Sequence, residues 1–246
     1  MRYKITIGYD GTEFCGWQHQ PNGNSIQDAL ERAAFSLFGE KVCVVGSGRT
    51  DAGVHALAQI AHFDCEKVLE LPRVVGGLNA YLPRSVRVSS AEYAESDFDA
   101  RKSAKQKTYM YLLYIGAEQP VLSDRALRLP TEPDLARMKE QAGRLIGTHD
   151  FSTFMASGGG AKTFTRTVYD ARFEKDGAFI KFFITANGFL YNMVRIIVAQ
   201  LLKAGRGEQV DIAELINKKD RSFAKELAPA YGLYLHNVDY GVSDDR

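Results

Sequence analysis

The run Gly46-Ser-Gly-Arg-Thr-Asp-Ala-Gly-Val-His-Ala56 brings three glycines, one arginine, one carboxylate and one histidine together in a single short stretch. Glycines at 46, 48 and 53 allow positive φ and close backbone approach to a ligand, and Arg49 stands just before Asp51, the only acid of the segment. Such a loop is suited to presenting one carboxylate. It does not read as a phosphate loop, because Asp51 occupies the place of the third glycine of a dinucleotide fingerprint and no Gly-Lys-Ser/Thr follows. A turn or bulge between strands, in which Asp51 only bonds its own backbone, is the plain alternative. Ser47 and Thr50 have no paired base, and His55 reads as a hydrogen-bonded spacer, so Asp51 is the candidate nucleophile.

Two other places carry chemistry. In the segment from Phe98 to Tyr111, Arg101, Lys102, Lys105 and Lys107 follow Asp99 with no further acid and run into Tyr109 and Tyr111. Basic residues interleaved with aromatics suit a polyanion with stackable bases; the alternative is a solvated positive face leading into an ordinary strand. Arg195 sits inside the apolar repeat of residues 189–204, where it must either snorkel to solvent or pair with a carboxylate such as Asp51. Just before it, Tyr191 and Asn192 add polar and aromatic groups within reach of a ligand.

The 246 residues are 45% hydrophobic and 25% charged, enough for one large core or two packed subdomains. Lys plus Arg total 31 against 30 for Asp plus Glu, so the net charge of +1 gives no global nucleic-acid signal and any basic footprint is local. No apolar run of about 18 residues occurs, and the opening Met-Arg-Tyr-Lys-Ile-Thr alternates; a cytoplasmic protein with no membrane association is expected. Cys15, Cys43 and Cys65 form no Cys-x-x-Cys pair and read as small apolar fillers, and the five histidines show no metal-binding spacing. No metal is expected.

Residues 3–9 alternate as a strand. Ser25 opens a capping-box-like Ser-x-x-Asp ahead of a helix stopping at Gly39, with strands expected over 42–45 and 58–63, a helix over 72–80 and a strand over 86–94. The second half repeats this order: a strand over 107–114, a helix over 134–146, a hairpin of 167–174 with 178–186 about Asp176-Gly177, a helix over 189–204, a short helix over 212–217 and a closing strand over 233–240. The chain therefore reads as α+β, with two ferredoxin-like split βαβ halves whose antiparallel sheets pack around a central cleft. Residues 1–104 form an N-terminal subdomain carrying the Asp51 loop, and 105–246 a C-terminal one.

With these pieces in order, the chain resembles the tRNA pseudouridine synthase A family over almost its whole length. The resemblance rests on Tyr9-Asp-Gly-Thr-x-Phe-x-Gly-Trp-Gln, Ser25-Ile-Gln-Asp-Ala-Leu-Glu, Gly48-Arg-Thr-Asp-Ala-Gly-Val-His-Ala, Phe98-Asp-Ala-Arg, Lys107-Thr-Tyr-x-Tyr, His149-Asp-Phe and Gly188-Phe-Leu-Tyr-Asn-Met-Val-Arg. It implies the pseudouridine synthase fold and isomerisation of uridine in the anticodon stem-loop of tRNA, at positions 38, 39 and 40, by a homodimer needing no cofactor or metal. Asp51 falls on the family's catalytic aspartate, Arg49 on the arginine linked to displacing the target nucleotide, Tyr109 on the tyrosine that stacks on uracil, and Arg195 on the arginine that pairs with the aspartate. Tyr191-Asn192 stands where many members have a basic pair. Two rivals differ in class: a non-catalytic RNA-binding module, whose RNP aromatic and glycine pattern is absent, and a carbohydrate hydrolase, which wants a second carboxylate that the sequence does not place.

Overall fold

The computed structural model describes residues 1–21 and 23–241. In chain order the elements are β1 (Arg2–Tyr9), α1 (Ile26–Phe38), β2 (Val45–Gly46), β3 (His55–Asp64), α2 (Leu71–Tyr81), β4 (Val86–Ala94), β5 (Gln106–Ile115), β6 (Leu127–Leu129), α3 (Leu135–Gly143), β7 (Gly147–Asp150), β8 (Thr165–Asp176), β9 (Phe179–Ala186), α4 (Met193–Gly205), α5 (Ile212–Lys218) and β10 (Leu233–Asp239). The expected mixture of helices and mainly antiparallel strands is what the chain forms.

Two compact units result: Met1–Lys105 with the chain from Tyr234 onward, and Gln106–Leu233. The sequence reading kept the closing strand with residues 105–246, whereas all of β10 but its first residue clusters with the first unit. The reason lies in its hydrogen bonding, since Tyr234 and Leu235 pair in parallel with His55 and Ala56 of β3.

In the first unit β1 is central, antiparallel to β3 on one side and β4 on the other. Its strict alternation buries Tyr3, Ile5, Ile7 and Tyr9, each apolar side chain contributing about 1.5–3 kcal/mol by leaving water. α1 starts where Ser25 Oγ accepts from the Asp28 amide at 3.0 Å and ends at left-handed Gly39 (φ 79°). The capping is not a full box: Asp28 Oδ2 accepts the Ser25 hydroxyl at 2.6 Å instead of reaching the cap amide. Phe38 of this helix meets Phe63 edge-on, while Tyr3 stacks on Phe63 with ring centres 5.3 Å apart. The strand expected over 42–45 shrinks to Val45–Gly46, because the Val44 amide is taken by the Glu31 carboxylate of α1 rather than by a strand.

In the second unit β5, β9, β8 and β7 lie side by side, all antiparallel, with β6 parallel to β5 on its other edge. The hairpin turn is Gly177-Ala178, one residue later than expected, since Asp176 still pairs with Phe179 and Gly177 takes φ 56°. α3 stops at Gly143 instead of 146. α4 begins at Met193, not 189, because Asn192 adopts φ 59° and breaks the helical path ahead of it. β6 and β7 are short strands that no alternation of four or more residues announces.

The cysteines divide. Cys43 is exposed and Cys15 half-buried, so neither is a core filler; Cys65 is buried, its thiol donating to Glu40 at 2.8 Å, and burial pushes that thiol up to about 12.

Candidate active site

Asp51 opens a tight turn whose closure is the Val54 amide donating to the Asp51 carbonyl at 3.1 Å. Of the three loop glycines, Gly53 supplies the positive φ (75°) this turn needs. Gly46 serves another purpose: it is in β2, where a Cβ would stand 2.5 Å from the Trp17 indole.

The loop is held from beneath at almost every residue. Ser47 and Thr50 are buried. The Ser47 amide donates to the Ile60 carbonyl at 2.7 Å and its hydroxyl to Gln59 Oε1 at 2.6 Å, while Gln59 Nε2 reaches the Gly48 carbonyl at 2.9 Å. Thr50 Oγ1 and the Tyr9 phenol share a 2.9 Å hydrogen bond, and burial pushes that phenol up to about 12, so Tyr9 stays neutral. The Trp17 amide donates to the Thr50 carbonyl at 3.0 Å. Gly16 sits against the same carbonyl with φ 105°, and a Cβ there would lie 2.5 Å from the Thr50 oxygen and 3.1 Å from the Asp51 carbonyl carbon. Asp51 is left half-buried at the tip and Arg49 exposed beside it.

His55 behaves as a spacer. Its Nδ1 accepts from the Gly11 amide at 3.0 Å, which requires that nitrogen to be unprotonated, and its ring stacks on Tyr234 at 4.6 Å. Asp10, whose Oδ1 lies 3.3 Å from the same nitrogen, also accepts the Thr12 hydroxyl at 2.6 Å.

The basic segment 101–105 leaves a turn built on Asp99. Its Oδ1 accepts the Arg101 and Lys102 amides, both at 2.9 Å, and these bonds, led by that of Lys102, hold the carboxyl below the usual range. Arg2 pins the preceding residues through the Ser96 and Phe98 carbonyls, and Ala100 is buried between His62 and Tyr240. Arg101, Lys102 and Lys105 are consequently presented to solvent. Lys102 lies 3.5 Å from Asp99 but is 85% exposed, so this ion pair holds little of its charge.

In the second unit Lys107, Tyr109 and Tyr111 share one face of β5. Tyr111 is core: it is fully buried, its phenol donates to the Pro229 carbonyl at 2.8 Å, and burial drives its pKa upward. Tyr109 meets Phe189 edge-to-face at 5.1 Å. The non-helical loop 187–192 thus touches Tyr109 through Phe189 and Arg195 through Asn192, whose Oδ1 accepts from Arg195 Nη1 at 3.2 Å. Arg195 Nε donates to the Ala228 carbonyl at 2.8 Å, and the Ala228 amide donates back to the Arg195 carbonyl at 3.1 Å. This arginine is therefore oriented on α4 rather than snorkelling freely. Tyr191 is exposed.

Sequence reasoning missed the supporting residues Tyr9, Gly16, Trp17 and Gln59. The Tyr9–Gln18 motif holds the first three and no motif holds Gln59, and motif membership does not tell a brace from a ligand contact. Among the described residues no cluster of three His, Cys, Asp or Glu side chains is set to hold a metal ion, and no helix is long and apolar enough to cross a membrane.

The family profile described as tRNA pseudouridine synthase matches residues 5–101 and 142–241. Relatives called tRNA pseudouridine synthase A include one from Limosilactobacillus reuteri, 42% identical over 100% of this chain and 99% of its own, and one from Caldicellulosiruptor saccharolyticus, 42% identical over 96% and 98%. A third, from Acetivibrio thermocellus, is 42% identical over 96% of this chain and 98% of its own. A solved Cbf5-Nop10-Gar1 complex aligns at TM-score 0.32 and 14% identity over 81% of this chain and 54% of that one, too loosely to carry an argument. Matched end to end by relatives of one name and along most of its length by one profile, the chain belongs to the tRNA pseudouridine synthase A family, a family of isomerases.

Proposed function

We propose that the protein isomerises uridine to pseudouridine in the anticodon stem-loop of tRNA, at positions 38, 39 and 40, with Asp51 as its one catalytic carboxylate and a flipped-out base as its substrate. The observation that carries this reading is the Asp51 turn itself: a half-buried acid at the tip of a loop whose flanking backbone is bonded to Trp17, Gln59 and Ile60. Rigid placement of one reacting group is what an enzyme needs and a plain binding module does not.

The chemistry asks for few parts. Breaking the N-glycosidic bond gives the sugar oxocarbenium character, which one carboxylate can stabilise or trap covalently. A second carboxylate is unnecessary because no water is activated, which separates this reaction from glycoside hydrolysis. The detached uracil must be held while it turns and re-bonds through C5; stacking on Tyr109 would hold it by about 1–3 kcal/mol. Arg195 is assigned to keep Asp51 ionised, as an adjacent cation favours the charged form. Arg49, exposed next to Asp51, is assigned to the space left by the flipped nucleotide, whose unstacking costs a few kcal/mol. Arg101, Lys102, Lys105 and Lys107 would track phosphates, with Tyr191 and Asn192 as further RNA contacts. The working assembly is taken as a homodimer acting in the cytoplasm.

A transcript whose uridines at 38, 39 and 40 are all cytidine should gain no pseudouridine; modification elsewhere at comparable rate would contradict the site assignment. Tyr109→Ala should slow the single-turnover rate about tenfold or more while weakening tRNA binding by less, as loss of up to about 3 kcal/mol of stacking in the reacting state requires. An unimpaired rate would remove its stacking role. Replacing Lys102 and Lys105 together by Gln should flatten the dependence of log K on log salt by about 1.4–1.8, two phosphate contacts at about 0.7–0.9 each; an unchanged slope would relocate those contacts.

A further inference from the structure

Ala100 has no polar side chain, yet it is fully buried and both of its backbone groups are taken by side chains from distant parts of the first unit. Its amide donates to His62 Nδ1 of β3 at 3.0 Å, and its carbonyl accepts the phenol of Tyr240, the residue after β10, at 2.8 Å. Rings close over the same turn. Phe98 meets His62 edge-on at 5.9 Å and lies 5.1 Å from Tyr240, and the Lys4 ammonium stands over Phe98 and Tyr240 at 5.7 and 5.3 Å. Asp99 then fixes the next two amides, those of Arg101 and Lys102, whose side chains are exposed. The backbone that presents these two cations is therefore anchored at its buried residue by one histidine nitrogen and one phenol.

That nitrogen accepts only while it carries no proton. The charged and titratable groups around the ring are Arg2 and Lys4 of β1, Asp64 of β3, Glu92 of β4 bonded to Lys4 at 3.2 Å, Asp99 of the turn, and Tyr240. Burial, followed by the charge of Arg2, holds His62 below the ordinary histidine value, so the ring is neutral at neutral pH. The Arg2 bond holds Asp64 below the usual carboxylate range, the Lys102 amide does the same for Asp99, and burial pushes the Tyr240 phenol up. Those three keep one charge state through mildly acid pH, whereas His62 gains a proton. With its folded value depressed, the bond to Ala100 contributes fully above the ordinary histidine range and is lost as pH falls through the lowered value.

We propose that His62 is a positioning residue for RNA binding: its unprotonated Nδ1 holds the turn that offers Arg101 and Lys102 to phosphates, and protonation releases that turn and loosens the grip on tRNA. The inference rests on the reading above that this basic segment contacts RNA. Its sign is distinctive. A histidine that merely gained positive charge near a polyanion would tighten binding at acid pH, whereas a histidine that lets go of the turn weakens it.

The test compares wild type, His62→Asn, His62→Leu and Tyr240→Phe for binding and turnover of unmodified tRNA, with the Ala100 amide followed by NMR in the absence of RNA. Asparagine sets an amide oxygen where Nδ1 stands and does not titrate, so it carries every other proton uptake as a baseline. At about pH 7.5 His62→Asn should bind within about twofold of wild type. His62→Leu, which leaves the buried amide unmet, should bind about tenfold more weakly, raise KM with kcat unchanged, and show a salt slope smaller by about 0.7–0.9. Tyr240→Phe, which keeps the ring and loses the bond to the Ala100 carbonyl, should weaken binding about threefold and decides the matter if His62→Leu fails to fold. From about pH 7.5 to about pH 5, the Kd of wild type relative to His62→Asn should rise about tenfold, and the Ala100 amide should shift in wild type alone. A ratio that stays level or falls would overturn the proposal, as would normal affinity and slope in both His62→Leu and Tyr240→Phe. An Ala100 amide that does not titrate would overturn the anchoring role; one that titrates with tRNA binding unaltered would keep the anchor and overturn its use for RNA. Failure of wild type to bind or modify tRNA would fall on the functional reading, and the Ala100 signal would still decide the anchor.

Discussion

Asp51→Asn is expected to lower pseudouridine formation by roughly 10⁴-fold or more, the scale on which removal of a reacting group acts, while tRNA affinity stays within about twofold. The substitution keeps size and turn: the Val54 amide bonds the backbone carbonyl of residue 51, not its side chain, and Thr50 and Gly53 are untouched. What is lost is the charge, and with it stabilisation of the oxocarbenium-like sugar or the covalent bond to it. A loss of that size corresponds to about 5.5 kcal/mol of transition-state stabilisation at 1.36 kcal/mol per factor of ten. Single-turnover rates with radiolabelled tRNA and filter binding on the same preparation separate the two quantities. Weak binding with a normal bound-state rate would make Asp51 a binding residue.

Gly16→Ala is expected to be strongly damaging although it alters no functional group. The new Cβ would meet the Thr50 carbonyl oxygen at 2.5 Å and the backbone of Asp51 and Ala52 at 3.1 and 3.2 Å, and residue 16 would have to keep φ 105°. Overpacking costs about 1–3 kcal/mol and an unfavourable φ about as much again, so stability should fall by roughly 2–6 kcal/mol. Relief means moving residues 50–52, and displacement of a reacting group by about 1 Å can cost on the order of 10²-fold in rate. Chemical denaturation together with turnover checks both; a variant with wild-type stability and rate would show that the loop does not depend on this contact.

Much of the scaffold is written in local pattern. β4 runs over 86–94 as expected because its ends are marked by the Leu-Pro-Arg turn before it and a loss of apolar residues after it, and α1 is marked at both ends by Ser25 and Gly39. The misses are places where a distant group decided the backbone. The Val44 amide goes to Glu31, which confines β2 to Val45–Gly46, and the positive φ of Asn192 removes the first turn from a helix whose apolar spacing reads unbroken from Leu190. β10 illustrates a different limit: periodicity finds the strand, but which strand it pairs with depends on contacts across most of the chain, and β3 is one of them.

The candidate site is legible in residue type more than in geometry. Asp51 and Arg49 stand out because a carboxylate amid glycines has few structural uses. Their brace was not legible, because Tyr9, Trp17 and Thr50 resemble ordinary core or turn residues until Thr50 is seen bonding both of the others. Tyr109 and Tyr111 look equivalent in sequence; the Tyr111 bond to Pro229 makes one a pillar and leaves the other to meet Phe189.

The central claim is that Asp51 converts uridine to pseudouridine in tRNA, and the most direct measurement is a nucleotide-resolution map of pseudouridine in unmodified tRNA after incubation with wild type or Asp51→Asn. The prediction is pseudouridine at one or more of positions 38, 39 and 40 with wild type and none with the variant. No pseudouridine with wild type, or the same map with Asp51→Asn, would contradict it.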